Sequence, residues 1–509
     1  MNSCAYQSEM TMTLRFVSFT LFTLVLLAFR PGESLAGNQQ AAQHKAGDIV
    51  IDEAEAKAPG TGEMVPVDFG TLYVPENRSA PDGKLIQIAF LRMKSTSRNP
   101  GPPIIYLEGG PGVSGINSAL GNMFHLFMAL RDAGDVIVPD QRGSGRSNRL
   151  TCSGSTQDLL GVSLKRDDFF SQLEKDSRKC VQSLTSKGVD VSAYNTNENA
   201  DDIDALRKAL GAPRANLLAY SYGTHLASAV IKRHPNNFQR AVMIGTVGPD
   251  QLQKLPSGIQ RQLVEIGRLV RCDAGLSERI PDLLSLMETV LSKLEKHPVV
   301  CEITNPKDRR KTNVTVDKFA MQWLTAAFIS RRDFIVAIPA LYYSLSKDDL
   351  SLLTAVLSSV AQRAALPATQ TTMRCASNAS KERYKQIQRE AKTAILGDAV
   401  NFPIPEICSV WGMPDLGNSF RAPVKSRMPI LFISGSLDAN APSENVEEMR
   451  KHLPNSLHVV VDGGEHEDFF LASALREQIR ELVTGFMKGN SPATSRMKAP
   501  PMSFVPVKE

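Results

Sequence analysis

Short apolar runs alternate with stretches of helical periodicity between about residues 65 and 245. Four of these runs, PPIIYLE, DVIVPD, NLLAYS and RAVMIGT, are almost continuously apolar, as is typical of parallel strands buried on both faces. Before the third run, TNENADDIDALRKALG has Ile203, Leu206 and Leu210 at helical spacing and Gly211 as an end signal. The alternation predicts a mostly parallel sheet with crossover helices.

The pattern changes twice along the chain. TLYV and LIQIAFLRM flank the turn APDG at 80–83 and predict an antiparallel pair. Helical periodicity dominates from 249 to 425, and the strand pattern then resumes in PILFISG and LHVVVDGG. We therefore expect an α/β core in two parts, 37–248 and 426–488, with a mainly helical lid inserted at 249–425. The proline-rich end, 489–509, reads as a disordered tail.

The first 36 residues read as a signal peptide. Arg15 precedes an apolar run of 14 residues, Phe16 to Phe29, which is shorter than the roughly 20 residues that a membrane-spanning helix needs. Small residues at Ser34 and Ala36 then form a cleavage site before Gly37. An uncleaved anchor is the alternative. We expect a secreted or periplasmic protein with no membrane partner after the leader is removed.

Composition changes this picture little. The chain has 509 residues, of which 42% are hydrophobic and 22% charged, as in ordinary globular proteins. The net charge of +5 is small for this length, and the basic residues are scattered, which argues against nucleic acid as a partner.

Six cysteines follow the leader, and an even number in an exported chain predicts disulfides. No C-x-x-C spacing points to zinc. Buried free thiols are the alternative. The simplest pairing joins sequence neighbours: Cys152 with Cys180, Cys272 with Cys301, and Cys375 with Cys408.

Ser221 in NLLAYSYGTHLASAV follows a strand and precedes a helix, where a nucleophile elbow would present a serine above the sheet. Small residues must flank such a serine. Gly223 meets this demand, and Ala219 stands where a glycine is usual, so the motif is degraded by one methyl group. A serine that caps the helix is the alternative reading.

Three further features favour a catalytic serine. A glycine-rich turn in YLEGGPGVSG follows an upstream strand and could hold an oxyanion together with the N–H of Tyr222. Asp438 comes just after the strand PILFISG, and His466 lies in the loop DGGEHEDFF after the next strand. Serine, aspartate and histidine in this chain order are the order of an α/β-hydrolase triad.

Two alternatives remain at this point. Asp462 or Glu465 could orient the imidazole in place of Asp438. The glycine-rich turn also fits the spacing G-x-G-x-x-G of a dinucleotide site. However, Pro111 lacks an N–H that would face a pyrophosphate, and an exported protein meets little nicotinamide cofactor. We therefore expect no metal or organic cofactor.

Further motifs carry a family resemblance. GGPG followed by DQRGSGRS resembles the proline iminopeptidase family of α/β-hydrolases. VDFGTLYVPEN, SYGTHLA and SGSLDANAP are similar to the secreted tripeptidyl aminopeptidases of the same superfamily. The resemblance spans about residues 65 to 488 and is most specific in the core. It implies an α/β-hydrolase fold and a serine mechanism on short peptides with a free N-terminus.

Carried onto this chain, the resemblance makes Ser221 the nucleophile, Asp438 the acid and His466 the base. The oxyanion hole would be formed by the backbone N–H groups of Gly109 or Gly110 and of Tyr222. Besides Ala219, one departure matters: Glu108 stands where proline iminopeptidases usually have histidine. That carboxylate would either anchor a substrate ammonium or accept a local hydrogen bond.

The sequence therefore predicts a secreted serine hydrolase, of the prolyl or tripeptidyl aminopeptidase kind, that acts on short peptides. A carboxylesterase or lactonase with the same triad is the first alternative, since one triad cleaves both amides and esters. A binding protein that keeps the fold without catalysis is the second.

Overall fold

A computed structural model describes residues 44–80, 82–152, 163–304, 309–360, 367–471 and 473–507. The predicted signal peptide lies outside these residues. Among them, no helix combines the length and the apolarity required to cross a membrane.

Twelve strands lie in the described part of the chain. They are β1 (Ile49–Lys57), β2 (Met64–Pro75), β3 (Leu85–Met93), β4 (Gly101–Leu107), β5 (Gly134–Pro139), β6 (Ala215–Tyr220), β7 (Phe238–Ile244), β8 (Val299–Thr304), β9 (Lys311–Val316), β10 (Ile430–Gly435), β11 (Ser456–Asp462) and β12 (Arg496–Lys498).

Ten of these strands form one sheet in the order β1-β2-β3-β5-β4-β6-β7-β10-β11-β12. Strands β1, β2, β3 and β5 pair antiparallel, and all neighbours from β5 through β4 to β12 pair parallel. The predicted antiparallel pair is confirmed as β2 with β3. The four apolar runs are β4, β5, β6 and β7, which confirms the mostly parallel sheet.

Helices connect the strands and fill the insertion. The α-helices are α1 (Gly115–Ala119), α2 (Phe124–Leu130), α3 (Arg166–Ser186), α4 (Thr196–Ala209), α5 (Tyr222–Arg233), α6 (Pro256–Arg271), α7 (Leu283–Lys296), α8 (Lys318–Phe328), α9 (Arg332–Ile335), α10 (Ile338–Ser346), α11 (Ser351–Val360), α12 (Ala368–Ser377), α13 (Lys381–Ala391), α14 (Cys408–Trp411), α15 (Gly417–Arg421), α16 (Ser443–Arg450), α17 (Asp468–Leu471) and α18 (Ser473–Met487). Short 3₁₀ helices span Val191–Ala193 and Gly397–Val400.

Both faces of the sheet are covered by apolar clusters. On one face, Phe127 of α2 and Ile479 of α18 pack against the sheet. On the other face, Leu206 of α4 and Leu226 of α5 do the same. Burying each such side chain stabilises the fold by about 1.5–3 kcal/mol. The result is a three-layer core whose parallel strands end at one common edge.

Helices α6 to α15 separate β7 from β10 in the chain and pack in an apolar cluster that includes Leu263, Leu324 and Leu341, together with side chains of α3. The same cluster takes in Leu437 and Ala439 from the loop after β10, so this insertion packs on the edge where the parallel strands end. Strands β8 and β9 add an antiparallel hairpin to the insertion. The domain boundaries given above stay a prediction.

The prediction of a disordered tail at 489–509 is wrong for the described residues. Strand β12 pairs with β11 as the last strand of the sheet. Beyond it, Met502 and Val507 are buried in the insertion's apolar cluster, and the N–H of Val505 donates to Val336 O at 3.0 Å. The prolines rule out a helix, but an extended segment can still add to a sheet edge and pack its few apolar side chains.

Two of the three predicted disulfides are present. Cys152 pairs with Cys180, and Cys375 pairs with Cys408, with Cα–Cα distances of 4.7 and 5.3 Å. The third predicted pair, Cys272 with Cys301, is wrong because Cys301 carries a free, buried thiol. Its side chain lies on the inner face of β8 within the insertion's apolar cluster. Nearness along the chain did not bring these two cysteines together.

Candidate active site

Ser221 occupies a sharp turn between the end of β6 and the start of α5. Its backbone has φ 53° and ψ −124°, a conformation that costs a residue with a side chain about 1–3 kcal/mol. The N–H of Ser221 donates to Ile244 O at 2.9 Å, which ties the turn to β7. The serine is partly exposed. The strained turn therefore presents the hydroxyl at the sheet edge, as a nucleophile elbow does.

The residues that flank this turn show how an alanine at position 219 fits where a glycine is usual. Ala219 is fully buried in β6, between Leu107 of β4 and Met243 of β7, and the sheet accommodates its methyl group. Gly223 has no such room, since a Cβ at this position would lie 2.0 Å from Leu107 O. The steric demand of the turn thus falls on the position after Ser221, where the glycine is retained.

His466 links Ser221 to Asp438. Its Nε2 lies 2.9 Å from Ser221 Oγ, and its Nδ1 lies 2.7 Å from Asp438 Oδ2. Asp438 comes from the loop after β10 and His466 from the loop after β11, and their exposed fractions are 4% and 5%. The structure therefore brings the three predicted residues together from three distant points of the chain.

The acid is held by its own loop. Asp438 Oδ1 accepts hydrogen bonds from the N–H groups of Asn440 at 2.9 Å and Ala441 at 2.8 Å. Bonds from N–H groups favour the ionised carboxylate. Oδ2 is left to accept the hydrogen of His466 Nδ1, which fixes the direction of the ring.

Two residues that sequence reasoning missed position the imidazole. Gly245, at φ +60°, lies beneath the ring, and a Cβ there would come within 3.0 Å of His466 Cε1. Tyr220 packs its ring 5.2 Å from the His466 ring and donates its hydroxyl hydrogen to His466 O at 2.9 Å. The glycine at the end of β7 was visible in the sequence, but its partner across the fold was not.

The other acids considered for this role are engaged elsewhere. Asp462 forms an ion pair with Arg496 on β12. Glu465 is 1% exposed and accepts the N–H of Glu467 at 2.8 Å. Burial is the main cause that raises the pKa of Glu465, and nearby carboxylates add to it. Neither carboxylate contacts His466 Nδ1, whose partner is Asp438.

The glycine-rich turn at 108–112 supplies backbone donors beside the serine. Gly109 packs so closely on Ser221 that a Cβ there would lie 3.0 Å from Ser221 Cβ. The N–H of Gly109 already donates to Glu108 Oε1 at 2.6 Å. Among the described residues, the N–H groups of Gly110 and Tyr222 donate to no protein acceptor. Of the expected oxyanion donors, these two are therefore the available pair.

Glu108 is 5% exposed, and its carboxylate bonds within its own turn through Gly109. Burial is the main cause that raises the pKa of Glu108, and the carboxylate of Asp140 adds to it. A buried carboxyl with a local partner is accounted for by that bond. Its role as an anchor for a substrate ammonium stays a prediction.

The loop DQRGSGRS braces this turn from the side. Asp140 accepts hydrogen bonds from Ser114 Oγ at 2.7 Å and from the N–H of Ile116 at 3.1 Å, both just after the glycine-rich turn. Gln141 Nε2 donates to Glu108 O at 2.7 Å. These contacts fix the loop after β5 to the glycine-rich turn.

A buried polar chain joins the elbow to helix α12 of the insertion. The Tyr222 hydroxyl lies 2.9 Å from Thr196 Oγ1 and 3.1 Å from Met373 Sδ. Ser377 Oγ is 3.0 Å from both Thr196 Oγ1 and His225 Nε2. His225 therefore contacts α12 and does not contact Ser221, and this polar chain ties α12 to the elbow.

Comparison with known proteins agrees with this geometry. The family profile described as alpha/beta hydrolase fold matches residues 102–268, which include the glycine-rich turn and Ser221. The profile described as TAP-like protein matches residues 397–495, which include Asp438 and His466.

Three relatives are similar in sequence. The putative hydrolase YuaR of Escherichia coli is 26% identical over 407 residues, which are 75% of this chain and 77% of the relative. Serine protease Hip1 of Mycobacterium tuberculosis is 31% identical over 188 residues, or 36% of each chain. The tripeptidyl aminopeptidase of Streptomyces lividans is 28% identical over 199 residues, or 36% of each chain.

The fold predicted from the sequence is thus confirmed by the sheet topology and by the first profile. Similarity to the two peptidases is confined to about a third of their length. The chain is a serine hydrolase with the α/β-hydrolase fold, and it resembles serine peptidases.

Proposed function

We propose that this protein is an exported aminopeptidase that cleaves short peptides from a free N-terminus through an acyl-enzyme on Ser221. The observation that carries the proposal is the continuous hydrogen-bonded chain from Ser221 through His466 to Asp438. The similarity to a tripeptidyl aminopeptidase and to serine protease Hip1 directs it toward peptides.

Acylation begins at the serine hydroxyl. His466 Nε2 takes the proton from Ser221 Oγ, and Oγ forms a bond with the carbonyl carbon of the scissile amide. The carbonyl oxygen becomes an oxyanion, which the N–H groups of Gly110 and Tyr222 stabilise. Each such donor contributes about 10²- to 10³-fold to the rate in serine hydrolases.

Collapse of this intermediate breaks the C–N bond. His466 gives its proton to the leaving amine, and the acyl group remains on Ser221. Water then attacks the ester as His466 takes a proton from it. The bond between the acyl carbon and Ser221 Oγ breaks, His466 returns the proton to Oγ, and the N-terminal fragment leaves with a new carboxylate. Asp438 keeps the ring in the tautomer that exposes a bare Nε2 to Ser221.

The covering helix supports a small substrate. Thr369 of α12 lies against the glycine-rich turn, since a Cβ at Gly112 would be 3.4 Å from Thr369 Cβ. Met373 of the same helix contacts the Tyr222 hydroxyl. A helix held against both the oxyanion turn and the elbow is the arrangement expected of a site that takes the end of a short peptide.

Export of the protein is part of the proposal. It is supported by the leader-like sequence of residues 1–36 and by the two disulfides, which form and persist in oxidising compartments. The periplasm and the extracellular space both satisfy these conditions.

The function is tested with three matched substrates: an aminoacyl 4-nitroanilide, its N-acetylated form and a simple aryl ester. An aminopeptidase cleaves the aminoacyl 4-nitroanilide but not its N-acetylated form, because acetylation removes the free amine. Turnover of the ester alone would replace the proposal by an esterase or lactonase.

Ser221→Ala should remove turnover and labelling by a fluorophosphonate while the thermal unfolding curve stays that of the native fold. Ser228→Ala is the matched control, because Ser228 lies on the same helix α5 and its hydroxyl only donates to Thr224 O. Normal rates in Ser221→Ala would overturn the assignment, and an unlabelled native protein would indicate a binding protein.

A further inference from the structure

Two cationic side chains lie beside the acid end of the candidate triad without a carboxylate partner. Lys254 belongs to the loop between β7 and α6, and Arg374 belongs to helix α12. No carboxylate of the described residues forms an ion pair with either side chain. Arg142 differs in this respect, since its buried guanidinium is paired with Asp202 at 2.7 Å.

Lys254 is held in place on both sides. Its backbone N–H donates to Asn401 Oδ1, and its O accepts from Asn401 Nδ2, both at 2.8 Å. The ammonium group contacts Asn440 Oδ1. Asn440 also donates its N–H to Asp438. The positive charge of Lys254 is therefore fixed at the loop that carries the triad acid.

Arg374 follows Met373, the residue that contacts the elbow tyrosine. Within the described part of the chain its guanidinium makes one hydrogen bond, from Nη2 to Gln253 Oε1, at 3.3 Å. Gln253 is fully buried, and its Nε2 has no hydrogen-bond partner among the same described residues. Because Oε1 and Nε2 belong to the same amide, the unpartnered donor lies at the end of Gln253 that faces Arg374.

The acids in this region are already engaged. Both carboxylate oxygens of Asp250 accept hydrogen bonds from Ser380, at 2.7 and 2.6 Å. Asp438 accepts hydrogen bonds from backbone and from His466. Neither carboxylate is positioned to neutralise Arg374.

Burial without an ion pair lowers the pKa of both cations, although the charge of Asp438 acts to raise that of Lys254. Desolvation, with the charge of Arg374 as the second cause, lowers the pKa of Lys254 to about 8. Desolvation also lowers the pKa of Arg374 to about 10. Both side chains nevertheless remain partly exposed, so they border a space that solvent can enter. Paired cations and an unused amide donor around such a space are the groups that bind a carboxylate.

We propose that Lys254, Arg374 and Gln253 form a binding site for a carboxylate of the substrate, next to the triad. The proposal rests on the proposed function in that the substrate is a short peptide. Two carboxylates are chemically equivalent here: the free C-terminus of a short peptide and an acidic side chain. A C-terminal carboxylate would set the length of peptide that the enzyme accepts, and an acidic side chain would set its residue preference.

The first measurement compares kcat/KM for tetra-alanine as the free acid and as the C-terminal amide. We expect the wild-type protein to favour the acid by about 10- to 100-fold, the range for one or two hydrogen bonds to a charged group. In Lys254→Met and Arg374→Met the ratio of acid to amide should fall toward one. The ratio is taken within each variant, so a smaller folded fraction does not affect it. Lys385→Met, at an exposed site on α13, is the control and should keep the wild-type ratio.

The second measurement separates the two sources. We compare kcat/KM for amide-capped peptides that carry glutamate or glutamine at one position. These values should differ only if the site binds an acidic side chain. Equal rates for acid and amide, together with equal rates for glutamate and glutamine, would overturn the proposal.

The carboxylate site can also be tested if the protein does not cleave peptides. If only esters are cleaved, mono-4-nitrophenyl succinate and 4-nitrophenyl butyrate replace the peptides, and the succinate ester should be preferred in the wild type alone. Calorimetric binding of tetra-alanine acid and amide to Ser221→Ala tests the site without turnover. Equal affinities of that variant for the acid, the amide and the glutamate and glutamine peptides would contradict a carboxylate site.

Discussion

Replacing Asp438 by asparagine should reverse the tautomer of His466. Asp438 Oδ1 accepts the N–H groups of Asn440 and Ala441 at 2.9 and 2.8 Å, while Oδ2 accepts from His466 Nδ1 at 2.7 Å. An asparagine keeps the two backbone bonds only with its carbonyl oxygen at Oδ1, which turns its NH₂ group toward His466. Nδ1 must then accept, so the ring hydrogen moves to Nε2 and faces Ser221, where it blocks proton removal.

The magnitude follows from these contacts. The opposite amide orientation would set NH₂ against two N–H donors, and leaving a buried donor unpaired costs about 1–3 kcal/mol each. That cost exceeds the free energy of the single hydrogen bond to His466, so the inactive tautomer predominates. A serine triad with the wrong tautomer loses about 10⁴-fold in kcat, which corresponds to about 5 kcal/mol of transition-state stabilisation. The free energy of unfolding should change by less than about 2 kcal/mol, because size and backbone bonds are kept.

The assay is kcat on an aminoacyl 4-nitroanilide, with the rate of fluorophosphonate labelling as a second readout. Asp462→Asn is the matched control, since Asp462 ends β11 just before the loop that carries His466 but pairs with Arg496. It should keep the wild-type kcat. A kcat of Asp438→Asn within tenfold of the wild type would refute the assignment of Asp438 as the residue that orients His466.

Two further predictions concern the elbow and its surroundings. Gly223→Ala should destabilise the fold by about 1–3 kcal/mol or more and lower the fluorophosphonate-labelled fraction, because the new Cβ would lie 2.0 Å from Leu107 O; unchanged thermal unfolding would contradict this contact. Burial lowers the pKa of His225 from 6.5 to about 4, with Asp250 and Lys232 as the nearby charges, so between these values the unfolded chain binds a proton that the folded state does not. Stability should therefore fall as the pH drops, and between pH 7 and 4.5 the wild type should lose roughly 2–3 kcal/mol more unfolding free energy in urea than His225→Gln, whereas equal losses would exclude a neutral, buried imidazole.

Sequence periodicity predicted the sheet well because parallel strands buried on both faces need continuous apolar runs. The same reasoning failed at the C-terminus. There, β12 is three residues long, and its place in the sheet depends on the free edge of β11, which lies far away in the sequence. One of the three predicted cysteine pairs, Cys272 with Cys301, failed for a related reason, since Cys301 points into an apolar core that the local sequence does not reveal.

The candidate triad was predictable because each of its members follows a strand, and parallel strands end at one edge of a sheet. Which acid faces His466 was not, because Asp438, Asp462 and Glu465 all lie near strand ends. The structure distinguishes the three acids by their surroundings. Asp438 accepts backbone N–H groups of its own loop, Asp462 pairs with Arg496, and Glu465 is buried.

The sequence by itself determined where the candidate catalytic residues lie relative to the strands. A serine, an aspartate and a histidine each follow a strand, and a glycine-rich turn lies upstream of them. Hydrophobic spacing and turn residues are local signals, and they suffice for this. Only the tertiary structure showed that the sheet accommodates the methyl group of Ala219 and that the N–H of Gly109 already donates to Glu108. It also brought Lys254 and Arg374 near each other without an ion pair to a carboxylate of the described residues. These are distances between residues far apart in the chain, and packing of the insertion on the sheet edge sets them.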